Sequence, residues 1–314
     1  MCALAAALAF PSSRAPAQES QGAAGYAWDD PEWRFTYHSR RVKVVLLAGS
    51  IGAFRDEPYG RLLNEWCADA EIRNLSRVGF GASQLFGRFR DQVLENPRYP
   101  MGARDLELWV LWNGGLNSAA ASHRTNHYIR RTFRDAHRRG IRVVGMSLTP
   151  WGSLEDERRW GGARGLETQR STQRIVDFVM GRGTPRDLLG TYASQRDVPE
   201  ASGWDPSELA DVRIDLYDSR LRDRDARPRE VAAMRALLQR DSRSRRALEP
   251  LPVADRETRL DADAQALSAL PQWFLRREYR GFDHIHPNRE GHRAIAEIAC
   301  PQLPASWGCT CPTH

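Results

Sequence analysis

The sequence predicts a three-layer α/β/α domain built on a parallel β-sheet, and three observations carry that expectation. Strand-like apolar runs alternate with amphipathic helical segments through five strands, the order that crossover connections produce. The runs are short and nearly all apolar, as strands covered on both faces must be. The unusual punctuation at 49–52, 79–81, 114–117 and 283–286 would converge on one edge of the sheet. In open α/β sheets that edge is where ligands sit.

The first strand is Val42–Ala48, in which six of seven residues are apolar and three are β-branched. It runs into the turn Gly49-Ser50-Ile51-Gly52. A helix is expected over 58–69, with Leu62, Leu63, Trp66 and Cys67 at helical spacing. Residues 70–75 read as a short second strand leading to Gly79-Phe80-Gly81. The third strand, 106–112, ends in Asn113-Gly114-Gly115-Leu116-Asn117-Ser118. A helix over 124–139 turns Ile129, Phe133 and Ala136 inward, and Gly140 ends it. The fourth strand, 141–148, is closed by Thr149-Pro150. A helix over 166–181 and a Gly/Pro/Arg-rich connection lead to the fifth strand, 212–216. Residues 219–275 are rich in Arg and Asp, with a helix near 229–240. They read as an insertion or lid, since strongly apolar positions are few. The last helix runs through Ala299, with Pro287 preset for its first turn and Ile295 and Ile298 on its buried side.

The composition bounds the function classes. With 314 residues, 41% hydrophobic and 9% aromatic, the chain can bury a sizeable core. No apolar run approaches the ~20 residues that span a bilayer. The net charge of +6 comes from 45 Arg and one Lys, Lys43. So lopsided a ratio reads as codon usage in a GC-rich, bacterial genome rather than a nucleic-acid surface. No zinc-finger spacing, RNP-like strand or basic heptad helix is present, so no nucleic-acid partner is expected. A preference for anionic substrates stays open.

Residues 1–17 read as a signal peptide, a short apolar run closed by the small-x-small site Ala15-Pro16-Ala17. The expected location is therefore periplasmic or extracellular. Residues 18–40 form an aromatic arm, and 301–314 a cysteine-containing tail. Cys67, Cys300, Cys309 and Cys311 allow three disulfide pairings, and a bond from Cys300 to Cys309 or Cys311 would pin the tail to the last helix. His123 and His127, four apart, could both reach one metal, but no acidic third ligand lies nearby. They read as exposed helix residues, and no metal or other cofactor is expected.

Ser50, Asp283 and His286 supply the side chains of a nucleophilic triad. A serine hydroxyl needs a base near neutral pH, and the base needs a carboxylate to hold its tautomer. Asp283 and His286, three apart in a loop before a helix, can make that pair within one turn. The N–H groups of Ser50 and Gly79 and the amide of Asn117 could hold the oxyanion. His284 is expected to point away, and His292 to be an exposed polar residue of the last helix.

These blocks, in this order, resemble the SGNH hydrolase superfamily, the GDSL-type esterases and lipases. Ser50 stands in Ala48-Gly49-Ser50-Ile51, Gly79 five after Asn74, Asn117 in Gly115-Leu116-Asn117, and the fourth block is Asp283-His284-Ile285-His286. The resemblance covers roughly 42–150 and 210–299. It implies a flavodoxin-like five-stranded sheet over 41–300, interrupted by the insertion or lid at about 219–275, and metal-independent hydrolysis through an acyl-enzyme. Gly49 and Ser118 replace two aspartates that usually order their loops. A nucleophile elbow of α/β-hydrolase type would need several strands before the serine, and only 49 residues precede it. The expected substrate is a small-molecule or polysaccharide ester with a short acyl or O-acetyl group. The alternatives are a non-catalytic carbohydrate-binding descendant, or an O-acyltransferase using the same triad.

Overall fold

The computed structural model describes residues 34–312 apart from Asp56 and Ala226. The expected signal peptide at 1–17 and most of the arm at 18–40 lie outside the described residues. Five strands form one sheet: β1 (Val42–Ala48), β2 (Ala70–Asn74), β3 (Glu107–Asn113), β4 (Arg142–Met146) and β5 (Val212–Ile214). Every pairing is parallel, in the order β2-β1-β3-β4-β5. This is the flavodoxin-like order, with β1 and β3 at the point where the winding reverses.

The helices are α1 (Tyr59–Trp66), α2 (Ala82–Phe89), α3 (Ser122–His137), α4 (Glu157–Trp160), α5 (Gly162–Val179), α6 (Pro185–Leu189), α7 (Val231–Arg240), α8 (Ser242–Leu248), α9 (Val253–Ser268) and α10 (Arg289–Ala299). Alternate residues of a strand face opposite sides of the sheet, and β1 divides its side chains accordingly. Val45 and Leu47 join Val110, Trp112 and Val143 under α2, α3 and α5. Val44, Leu46 and Ala48 join Trp109, Leu111 and Val144 under α1 and α10. Each fully buried Val or Leu contributes about 1.5–3 kcal/mol, so both layers are held strongly.

Lys43, the one polar residue of β1, is buried and donates to the Glu71 carboxylate (3.0 Å) and the Tyr37 carbonyl (2.6 Å). Glu71 also accepts the backbone N–H groups of Thr36 and Tyr37, which docks residues 34–40 on the sheet. Burial works to raise the Glu71 carboxyl. The N–H of Thr36 and the Lys43 ammonium outweigh it and hold the group below its usual range.

Two segments depart from the sequence expectation. Residues 82–89, to which the sequence reading assigns no element, are helical; Leu85, Phe86 and Phe89 supply the buried stripe. The 219–275 segment holds three helices, α7, α8 and α9, rather than one. Met234, Leu238, Leu260, Leu267 and Phe274 join the core beneath α5, while Val231, Leu237 and Val253 stay exposed. The helix over 289–299 starts later than Pro287, because Asn288 is its cap and accepts the N–H of Gly291 at 2.8 Å.

Both disulfides fasten the tail to the α1/α10 layer. Cys300 pairs with Cys311, and Cys67, at the end of α1, pairs with Cys309. Trp307 is fully buried edge-on to Trp109. Among the described residues, no helix is long and apolar enough to cross a membrane.

Candidate active site

The site is assembled at the carboxyl edge of the sheet by the segments that follow β1, β2 and β3 and by the loop before α10. After β1 the chain turns within one residue, and the N–H of Ala53 returns to the carbonyl of Gly49 at 3.1 Å. That turn lifts Ser50 off the sheet edge, half-buried. The loop after β2 runs alongside, Leu75 donating to Leu46 and Arg77 to Ala48. Asn74 ties the two loops, its Nδ2 donating to the carbonyl of Gly52 at 2.7 Å.

Ser50, His286 and Asp283 lie in one chain of hydrogen bonds. His286 Nε2 is 2.8 Å from Ser50 Oγ, and its Nδ1 is 2.9 Å from Asp283 Oδ2. Asp283 Oδ1 accepts the backbone N–H groups of His286 (2.7 Å) and Ile285 (2.9 Å). One carboxylate thus fixes both the ring and the loop that carries it. Burial works to raise the Asp283 carboxyl. The His286 N–H, the His286 ring and the Ile285 N–H outweigh it and keep the group below the usual carboxylate range. An ionised Asp283 requires a proton on Nδ1, which leaves Nε2 as the acceptor facing Ser50.

Gly79 and Asn117 lie on the loops that follow β2 and β3. Gly79 has φ +78°, a conformation in which a side chain is strained, and it is exposed on the loop after β2. Asn117 Nδ2 donates to the carbonyl of Phe80 at 3.1 Å, joining the β3 loop to the β2 loop. A Cβ at Gly49 would lie 2.8 Å from that same Nδ2. The glycine therefore leaves room for the Asn117 amide beside Ser50. Ser118 stands where an aspartate was expected to order the loop, and its hydroxyl does that work. It accepts from the N–H of Ala82 (3.1 Å) and from Thr125 Oγ1 (2.8 Å), and donates to the carbonyl of Gly115 (3.2 Å).

The remaining histidines are placed differently from one another. His284 faces away from Ser50, its Nε2 2.9 Å from Asp156 Oδ2. The expectation that His292 is exposed is wrong. It is fully buried, stacked on Phe54 at 4.1 Å and near Tyr59 at 6.0 Å, with no hydrogen-bond partner on either ring nitrogen. Burial, with His286 adding to it, pushes its pKa down to about 3. His127 is buried too, against Tyr192, and burial with Arg130 beside it lowers its pKa to about 4. Among the described residues no group of three His, Cys, Asp or Glu is placed to hold a metal ion.

Sequence reasoning missed two features of the site. Phe282 is 90% exposed and stacks on the His286 ring with centroids 5.8 Å apart. Four arginines, Arg158, Arg159, Arg164 and Arg243, gather around a cavity beside Asn117 and Ile285. Phe282 adjoins the Asp-x-x-His block and could have been singled out. The arginines converge from segments 79 residues apart among dozens of others, and no local pattern marks them.

No family model and no curated protein matches the chain. Solved structures are similar to it in fold. A GDSL-like lipase from Bacteroides thetaiotaomicron is 16% identical, over 82% of this chain and 85% of that one, with a TM-score of 0.41. An acetyl xylan esterase is 12% identical, over 83% and 100%, with a TM-score of 0.45. A lipase/acylhydrolase from Enterococcus faecalis is 13% identical, over 87% and 99%, with a TM-score of 0.38. The chemistry is left to this chain's own residues.

Proposed function

We propose that the protein is a serine hydrolase of carboxylic esters, of SGNH type, working through an acyl-enzyme on Ser50. The supporting observation is the continuous chain of hydrogen bonds from Asp283 through His286 to Ser50. In this reading Ser50 Oγ attacks the ester carbonyl carbon as its proton passes to His286 Nε2. Asp283 stabilises the imidazolium so formed. The N–H groups of Ser50 and Gly79 and the amide of Asn117 receive the charge that develops on the carbonyl oxygen. The Nε2 proton then goes to the departing alkoxide, releasing the alcohol. Water, deprotonated by the same nitrogen, cleaves the acyl-serine to the free acid and restores Ser50.

The substrate is a short acyl or O-acetyl ester of a small molecule or polysaccharide, a reading supported by the insertion, which buries Met234, Leu238, Leu260, Leu267 and Phe274 in the core and contributes the charged Arg243 to the cavity beside Asn117. Export to an oxidising compartment fits the two disulfides. A non-catalytic descendant is the weaker reading, since Gly49 and Ser118, which suggested it, leave the site's loops tied.

The test is labelling with a neutral fluorophosphonate, run beside p-nitrophenyl esters of rising chain length. Wild type should label and hydrolyse the shortest esters fastest, and Ser50→Ala should lose labelling and at least about 10³-fold in kcat. A well-folded wild type that does not label would overturn the reading. So would loss of hydrolysis on adding EDTA, and an excess of acyl transfer to added saccharide over free acid would replace it with an acyltransferase.

A further inference from the structure

A cavity of about 500 Å³ opens beside the triad, lined by Asn117, Ile285, Arg158, Arg159, Arg164 and Arg243. Ile285 lies between Asp283 and His286 in the chain, and the Asn117 amide lies against Gly49, the residue before Ser50, so the cavity is walled by neighbours of the triad on two sides. Its wall is tied to the triad loop, because the N–H of Gly152 donates to the carbonyl of His284 at 2.6 Å and Asp156 faces the His284 ring. A group seated there is held at a fixed position relative to His286.

The charge of the cavity is not neutralised by the protein. Four arginines meet two acids, Glu167 in the lining and Asp156 beside Arg159, a formal surplus of two positive charges. Arg159 is held by Asp156 at 3.0 Å and Arg243 by Glu167 at 3.3 Å. Arg158 and Arg164 have no carboxylate partner among the described residues, and Arg164 Nη1 donates to the carbonyl of Arg158, which keeps the two side by side. Arg164 also stands in the first turn of α5, which contains no acid, where a cation opposes the helix dipole. Elsewhere in the molecule arginines commonly meet carboxylates, as Arg130 and Arg196 do at Glu208. Uncompensated guanidinium groups converging on a concave site beside a nucleophile call for an anion, and their forked donors match a carboxylate.

We propose that the cavity binds a carboxylate carried by the ester substrate, so that the enzyme's preferred substrate is an acidic ester. The proposal rests on the reading of Ser50 as the nucleophile. The insertion takes part in it, since Arg243 comes from α8. The carboxylate belongs either to the acyl group, as in a monoester of a dicarboxylic acid, or to the alcohol, as in an O-acetylated sugar acid.

The experiment compares kcat/KM within two matched pairs. Mono-p-nitrophenyl glutarate against p-nitrophenyl valerate places the charge on the acyl side, and acetylated glucuronic acid against acetylated glucose places it on the alcohol. The acidic member of one pair should be preferred by at least about tenfold, and the pair that shows it identifies the side. In the Arg158→Gln/Arg164→Gln protein that ratio should fall to within about twofold of unity. A ratio taken within one protein cancels any loss of folded enzyme. Equal rates in both pairs, or a preference that survives the substitutions, would overturn the proposal. If no ester is hydrolysed and no fluorophosphonate labels the protein, the esterase reading has failed instead. Calorimetric titration of Ser50→Ala with glutarate and with glucuronate then decides the cavity by itself. Binding that disappears when Arg158 and Arg164 are replaced upholds it, and absence of binding refutes it.

Discussion

The two helical layers that cover the sheet contribute unlike materials to the site. On the α1/α10 side the loop carrying Asp283 and His286 feeds directly into α10, which stacks the buried His292 against half-buried Phe54 and buried Tyr59. Two disulfides and the buried Trp307 close that layer from outside. On the α5 side the site is edged by α4, α5 and α8, and its lining is charged and partly open to solvent. The first layer fixes positions, as a proton relay requires, because hydrogen bonds of 2.8 and 2.9 Å tolerate little drift. The second presents charge, whose attraction falls off slowly with distance and needs less fixing. Damage to the triad loop on the α1/α10 side should therefore lower kcat for every substrate, whereas damage on the α5 side should change which substrate is preferred.

Asp283→Asn attacks the first layer with the least change of shape. The amide oxygen can still accept the N–H groups of Ile285 and His286, so the loop should hold. The carboxylate that fixes the Nδ1–H tautomer is gone, however. We expect kcat to fall by about 10²–10⁴-fold for acidic and neutral esters alike. Steady-state kinetics on both substrate pairs checks this. A loss confined to KM, or to one class of ester, would remove the distinction between the layers.

The disulfides supply the next largest effect, on stability rather than chemistry. Cys67 and Cys309 are 242 residues apart, so their bond restricts the unfolded chain strongly. Replacing both by Ser should cost about 2–5 kcal/mol, read as a lowered denaturation midpoint. Neither cysteine touches the triad, so the remaining folded enzyme should keep its kcat. If kcat fell instead in proportion to the lost stability, the layer would be positioning His286 through the disulfide.

The layers also differed in how far the sequence disclosed them. The strands were visible because residues buried on both faces leave continuous apolar runs, as in Val42–Ala48. The triad and its loops were visible because Ser50, Gly79, Asn117 and Asp283-x-x-His286 are short local patterns at strand ends. What depends on distant partners was hidden. α9 buries only Leu260, Ala264, Leu267 and Ser268, a thin stripe masked by surrounding Arg and Asp. The disulfide pairing turns on Cys67, which sequence spacing alone cannot bring to Cys309. Gly49 looked like a missing aspartate, and only the position of the Asn117 amide shows what the absent side chain makes room for.

His292 separates the two layers in the most subtle way, through pH. An unfolded histidine takes up a proton near pH 6.5, whereas His292 in the fold resists protonation down to about pH 3. Between those values the unfolded chain binds more protons than the folded one, so stability falls as the solution is acidified. The contribution of His292 is complete above about pH 6.5 and is lost progressively toward pH 3. At pH 5 the loss relative to pH 8 should be on the order of 2 kcal/mol. His292→Phe keeps an aromatic ring against Phe54 and removes both the titration and two buried nitrogens without partners. Urea denaturation of both proteins at pH 8 and pH 5 isolates the effect, because His127, His137 and the carboxylates titrate in both. The variant should lose less stability than wild type over that interval. An equal loss in the two proteins would mean that His292 is protonated in the fold, and that the layer beneath the triad is wetter than its aromatic packing indicates.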